Sequence, residues 1–69
     1  KQAHEESGLT DVELKILEHL ARGDSYEEMG AELYLSEPTI KRKIQGILTK
    51  MGANSRTQAV AEAIRRGLI

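Results

Sequence analysis

Apolar residues recur at helical spacing in four separate stretches of the chain, and no stretch alternates with the two-residue period of a strand. The clearest stripe comprises Ile40, Ile44, Ile47, Leu48 and Met51. The others comprise Leu9, Ile16, Leu17, Leu20 and Ala21, then Met29, Ala31, Leu33 and Leu35, then Ala59, Val60, Ala63, Ile64, Leu68 and Ile69. Such stripes are typical of helices that bury one face, so the pattern predicts an all-α, four-helix bundle.

Capping residues mark where these helices begin and end. The S/T-x-x-E/Q capping box occurs three times, as Thr10 with Glu13, Ser25 with Glu28, and Ser55 with Gln58. Ser36, with Pro38 in the first turn, marks the remaining start. Gly23, Gly52 and Gly67 stand where a helix often ends in a left-handed residue. These signals predict helices over 11–22, 26–33, 37–51 and 56–66.

The length and composition limit the range of functions. The 69 residues suffice for one small domain, which buries only about 60% of the surface of its unfolded chain. There is no cysteine for a disulfide or a thiolate metal site. No apolar run approaches the ~20 residues of a membrane span, and no signal-peptide pattern precedes Leu9. We therefore expect a cytoplasmic protein with no cofactor and no metal.

Charge is distributed unevenly along the chain although the net charge is only −1. Residues 1–35 carry three basic and nine acidic side chains, a net charge of −6. Residues 36–58 carry five basic side chains and one acidic one, a net charge of +4. A polarised protein of this kind can turn a positive surface toward phosphates.

The second and third predicted helices are joined by only a few residues, and the third carries Lys41, Arg42 and Lys43. A short helix followed, after a tight turn, by a basic helix is typical of the helix-turn-helix of DNA-binding proteins. The third helix is then the recognition helix, and double-stranded DNA is the expected partner.

A helical wheel assigns roles on this helix. With Ile44 at the centre of the buried stripe, Arg42, Gly46 and Thr49 point nearly opposite and Gln45 lies close by. Arginine and glutamine can form paired hydrogen bonds with guanine and adenine, so Arg42 and Gln45 are the best candidates for reading bases. Lys41 could read a base or contact a phosphate. The candidate phosphate contacts are Thr39, Lys43, Lys50, Ser36 and Arg56.

Two glycines lie inside predicted helices, where glycine is unfavourable. Gly30 predicts a close helix crossing that tolerates no side chain. Gly46, in the middle of the DNA-facing side, has two open interpretations: a close approach of the backbone to DNA, or an unoptimised helix position.

The sequence resembles the LuxR-type helix-turn-helix domain of bacterial response regulators and quorum-sensing activators. The resemblance runs from Leu9 to Ile69 and rests on the motifs Leu9-Thr10-x-x-Glu13, Leu20-Ala21-x-Gly23-x-Ser25, Leu35-Ser36-x-x-Thr39-Ile40-Lys41, Lys50-Met51-Gly52 and Arg56-x-x-Ala59-Val60. It implies a DNA-binding domain over residues 9–69, preceded by a linker over residues 1–8. The base-reading positions that it implies are Lys41, Arg42 and Gln45.

The resemblance also implies a dimer on DNA, formed through the fourth helix. Thr57, Ala61, Ile64 and Leu68 form an edge of that helix that could supply the contact, or could instead complete the core of the monomer. An upstream receiver or ligand-sensing domain is expected in a longer parent protein. Glu13 is expected to cap the first helix, with an ion pair to Arg56 as the other possibility.

Three alternatives stay open. A sigma-factor region 4 has a similar helix-turn-helix, but normally ends soon after its recognition helix. A helical protein-interaction module would use the acidic half, Glu5 to Glu32, and that surface could also contact RNA polymerase in a DNA-binding protein. An enzyme is not expected, because His4 and His19 are far apart and more typical of surface positions.

Overall fold

The computed structural model describes residues 8–69, so most of the predicted linker and His4 lie outside the described residues. Four helices follow one another: α1 (Asp11–Arg22), α2 (Tyr26–Leu33), α3 (Glu37–Met51) and α4 (Arg56–Arg65). The described residues contain no strand. The all-α prediction is confirmed, and only the end of α4 differs from prediction, by one residue.

Caps define the helix starts. Thr10 and Ser25 each form a complete capping box, with Glu13 and Glu28 respectively. Ser55 accepts a hydrogen bond from the Gln58 amide, but the Gln58 side chain accepts from the Asn54 amide at 2.6 Å instead of from Ser55. The third capping box is therefore only half formed.

The turn between α2 and α3 contains a non-glycine residue in the left-handed region. Tyr34 has a φ of 59°, and the residue is 92% exposed. Its amide still donates to the Gly30 carbonyl, which completes the end of α2. No glycine marks this helix end, which is why only the capping serine of the following helix indicates the turn in the sequence.

Gly30 allows this turn to pack against α2. A Cβ atom at Gly30 would lie 2.5 Å from the carbonyl oxygen of Leu35 and 3.6 Å from Cδ1 of Ile40. The predicted close approach is present, but the crowding is against the backbone of the turn and not chiefly against another helix.

One core joins the four helices, with α1 packed against α2, α3 and α4, and α3 packed against α2 and α4. The buried apolar side chains are Leu9, Ile16, Leu17, Met29, Ile40, Ile44, Ile47, Met51, Ala59 and Ala63. Ala21, Ala31 and Ile64 were predicted to join them but are exposed. They lie at the edges of their stripes, where burial depends on which helix lies alongside.

Candidate nucleic-acid interface

Helix α3 has one buried side and one open side. Ile40, Ile44 and Ile47 lie in the core, while Arg42 and Gln45 are exposed on the opposite side. Burial of this apolar stripe fixes the rotation of the helix about its axis. The open face therefore presents the side chains that the helical wheel indicates.

The three candidate base readers, Lys41, Arg42 and Gln45, are all exposed on α3. The Nζ atom of Lys41 lies 3.2 Å from a carboxylate oxygen of Glu37, one turn earlier. A guanidinium nitrogen of Arg42 lies 3.4 Å from the hydroxyl of Thr39. Exposed contacts of this kind contribute little to stability, so these side chains can exchange them for contacts with a ligand at low cost.

The candidate phosphate contacts at the start of α3 are linked to one another. The Ser36 hydroxyl donates to the Thr39 hydroxyl at 2.9 Å and accepts from the Thr39 amide at 3.4 Å. Lys43 is half-buried on the shoulder of the helix, and no acidic side chain of residues 8–69 forms an ion pair with it. Ser36 and Thr39 lie at the N-terminus of α3, where the helix dipole favours anions.

Lys50, another candidate phosphate contact, connects the last turn of α3 to the start of α1. Its Nζ atom lies 2.8 Å from Glu13 Oε1 and 3.2 Å from the Gly8 carbonyl oxygen. An ammonium group has three donors, and the side chain is 40% exposed, so one donor is left for a ligand.

Glu13 is buried at the base of this contact. Its carboxylate accepts hydrogen bonds from Lys50 and from the Thr10 amide at 2.9 Å. Burial acts to raise the pKa of Glu13, but the Lys50 and Thr10 hydrogen bonds outweigh it and the net pKa is lowered. The possible Glu13–Arg56 ion pair is thus replaced by a Glu13–Lys50 pair, because Arg56 binds elsewhere.

Arg56 contacts Tyr26, a residue that sequence reasoning did not place near the interface. Arg56 donates to the Tyr26 hydroxyl at 2.6 Å. Its guanidinium carbon and the Lys41 ammonium each lie 5.6 Å from the centroid of the Tyr26 ring, within the range of a cation–π contact. Tyr26 therefore brings a cation of α4 and a cation of α3 to the same ring. Thirty residues separate Tyr26 from Arg56, and no local spacing indicates the pair.

His19 is buried, contrary to the surface position expected from the sequence. It is only 4% exposed. Its Nδ1 lies 2.8 Å from Asp24 and its Nε2 lies 3.2 Å from Glu32. The hydrogen bond to His19 is the main cause of a lowered pKa at Asp24, with Arg22 adding to it. His19 follows Ile16 by three residues, so its position on the apolar stripe was the signal available in the sequence.

The predicted dimer edge of α4 borders an open groove of about 540 Å³ between α1 and α4. Thr57, Ala61 and Ile64 line it, and Ile64 is 57% exposed. Leu68 does not line the groove and packs, partly buried, against the core. Three residues of the predicted edge thus line the groove, and the fourth, Leu68, packs against the core of the monomer.

Residues 8–69 contain no group of histidine and acidic side chains suited to holding a metal ion. The same residues contain no helix with the length and apolar character needed to cross a membrane.

Known proteins resemble this chain over most of its length. The model of the family described as bacterial regulatory proteins, luxR family, matches residues 7–63. Over 61 residues the chain is 43% identical to the transcriptional regulatory protein DegU of Brevibacillus brevis, covering 88% of this chain and 26% of that protein. It is 36% identical over 69 residues to the transcriptional regulatory protein YdfI of Bacillus subtilis (strain 168), covering 100% of this chain and 32% of that protein. It is also 36% identical over 59 residues to the spore germination protein GerE of the same strain, covering 86% of this chain and 80% of GerE.

Proposed function

Because the chain belongs to the luxR family of bacterial regulatory proteins, we propose that it binds double-stranded DNA sequence-specifically, with α3 in the major groove. The observation that carries this proposal is the open face of α3. Arg42 and Gln45 project from it while the opposite side is held in the core. A major groove admits one helix and exposes donors and acceptors that such side chains can read.

The surrounding charges support the same orientation. Lys43 and Lys50 lie along one shoulder of α3, and Ser36 and Thr39 lie at its start. Arg56 of α4 contacts the same Tyr26 ring as Lys41 of α3. Contacts with phosphates, which position a protein on DNA without reading its sequence, are assigned to Ser36, Thr39, Lys43, Lys50 and Arg56. Lys41, Arg42 and Gln45 are assigned to the bases.

Two copies are proposed to bind together on two-fold related half-sites. The groove beside α4 supports this arrangement, because Ile64 is exposed there and Ala61 permits close approach. A surface this small gives a weak contact on its own, so DNA would have to hold the two copies together.

We also infer that the chain is the output part of a longer cytoplasmic transcriptional regulator. The chain spans about a quarter to a third of DegU and YdfI, both transcriptional regulatory proteins. A receiver domain ahead of it would then control its access to DNA. A sigma-factor region 4 is disfavoured because the match to the luxR family continues through residue 63, inside α4.

The proposal is tested by selecting duplexes from a pool randomised over about two helical turns, then titrating the selected duplex at several salt concentrations. Log affinity should fall linearly with log salt, with a slope of about −0.9 for each phosphate neutralised. Arg42→Ala should reduce the preference for the selected duplex, whereas Lys43→Ala should weaken all duplexes alike. Salt-insensitive binding, or no enrichment of any sequence, would refute the proposal and favour a protein-interaction module.

A further inference from the structure

Gly46 lies in the middle of α3 on its open face, and nothing in residues 8–69 requires a glycine there. A Cβ atom at Gly46 would meet no atom of residues 8–69 within 4 Å, apart from its chain neighbours and the adjacent backbone of its own helix. Its backbone is ordinary right-handed helix. Gly30, the other glycine inside a helix, differs because a Cβ atom there would lie 2.5 Å from the Leu35 carbonyl oxygen.

A glycine at this position weakens α3, since glycine is among the least favourable residues in a helix interior. A small domain has little stability to spare. Glycine also has a recognised use where a ligand must come close to the backbone. The lack of an internal reason for Gly46 therefore points to a contact outside the domain.

The neighbouring residues indicate what makes this contact. Arg42 lies one turn before Gly46 on the same face, and Gln45 lies beside it; both are exposed. The Thr49 hydroxyl donates to the Gln45 carbonyl at 3.1 Å and is thus bonded to the helix itself. Two long polar side chains thus border a position without a side chain.

We propose that base edges in the major groove contact the α3 backbone at Gly46, so that this glycine sets how deeply the helix enters the groove. This inference rests on the proposed function. Carbon atoms in contact stand about 3.5–4.0 Å apart, so a Cβ atom at residue 46 would move α3 outward. Arg42 and Gln45 would then lose their reach to the bases, whereas flexible lysines could still contact phosphates. Gly46 is a specificity-determining residue in this arrangement.

The test compares Gly46→Ala with the wild-type chain on the selected duplex and on the unselected pool. The variant should melt higher by about 4–8 °C, because alanine is the better helix former. Its affinity for the selected duplex should fall about tenfold, equivalent to the loss of one good base contact. Its affinity for the unselected pool should change less than about twofold, because phosphate contacts dominate there.

A second substitution separates the effect of the added Cβ atom at residue 46 from the effect of a more stable domain. Ala31 is exposed in α2, so Ala31→Gly should lower the melting temperature without placing any atom on α3. The double variant Ala31→Gly with Gly46→Ala should melt near the wild-type temperature and keep the binding loss of Gly46→Ala.

Three outcomes would overturn the inference. If Gly46→Ala melts higher and binds the selected duplex as the wild type does, Gly46 is merely an unoptimised helix position. If it loses affinity equally for both kinds of DNA, the backbone contact is with phosphate and not with bases. If Gly46→Ala loses affinity but the double variant regains it, added stability and not added bulk causes the loss. A wild-type chain that binds no duplex would refute the proposed function itself, which is a different result from any of these.

Discussion

Replacing Lys50 by methionine should destabilise the domain, because Lys50 is the cation that compensates the buried carboxylate of Glu13. The substitution keeps a long apolar side chain but removes the 2.8 Å contact with Glu13 and the 3.2 Å contact with the Gly8 carbonyl. Hydrogen bonds to charged groups contribute roughly 1.5–3 kcal/mol when buried. Because the Lys50 side chain is 40% exposed, water screens the pair, and we expect a loss of about 1–2 kcal/mol.

Thermal unfolding followed by circular dichroism measures this effect, and a domain of this size shifts by about 4–8 °C for each kcal/mol. The loss should also depend on pH. The pKa of Glu13 is lowered in the folded chain. The stability that ionised Glu13 contributes is therefore complete above its ordinary pKa of 4.5 and is lost as pH falls through the folded pKa. The difference in melting temperature between wild type and variant should therefore narrow in acid.

Lys15→Met is the matched control, since Lys15 is an exposed lysine of α1, and it should shift the melting temperature little. A double-mutant cycle with Glu13→Gln isolates the interaction between the two side chains. A coupling energy near zero, or a difference in melting temperature that stays unchanged as Glu13 becomes protonated in acid, would show that the Glu13–Lys50 contact does not stabilise the fold.

Two further substitutions test other contacts. Gly30→Ala should lower the free energy of unfolding by about 1–3 kcal/mol, the usual range for overpacking, because its Cβ atom would lie 2.5 Å from the Leu35 carbonyl oxygen. Urea unfolding measures this change, and a stabilised variant would contradict the described turn. Tyr26→Phe removes the hydroxyl that accepts a hydrogen bond from Arg56 but keeps the ring. Because Arg56 is assigned to phosphates, the variant should bind all duplexes more weakly by a similar factor, which fluorescence titration measures. A loss confined to the selected duplex would assign Tyr26 to base reading instead.

Local signals in the sequence were sufficient for the helices but not for contacts between them. Thr10, Ser25 and Gly52 cap helices through hydrogen bonds to residues a few positions away, so the helix boundaries could be predicted from short stretches of sequence. The exposure of Arg42 and Gln45 followed because Ile44, on the same helix, fixes its rotation.

Contacts between distant residues were not predictable in this way. Lys50 meets Glu13 across 37 positions, and Arg56 meets Tyr26 across 30. Nε2 of His19 in α1 lies 3.2 Å from a carboxylate oxygen of Glu32 in α2. Such pairings arise only when the helices are packed, so charge and spacing along the chain do not indicate them.

The hydrogen bond from Lys50 to the Gly8 carbonyl has a consequence for the architecture of a longer regulator. It joins Gly8, which precedes α1, to the C-terminal turn of α3, the helix proposed to read DNA. A preceding module of a longer regulator would therefore be joined to the domain at a point that is fixed relative to α3. Its range of orientations above the duplex would be governed by the length of the peptide ahead of Gly8.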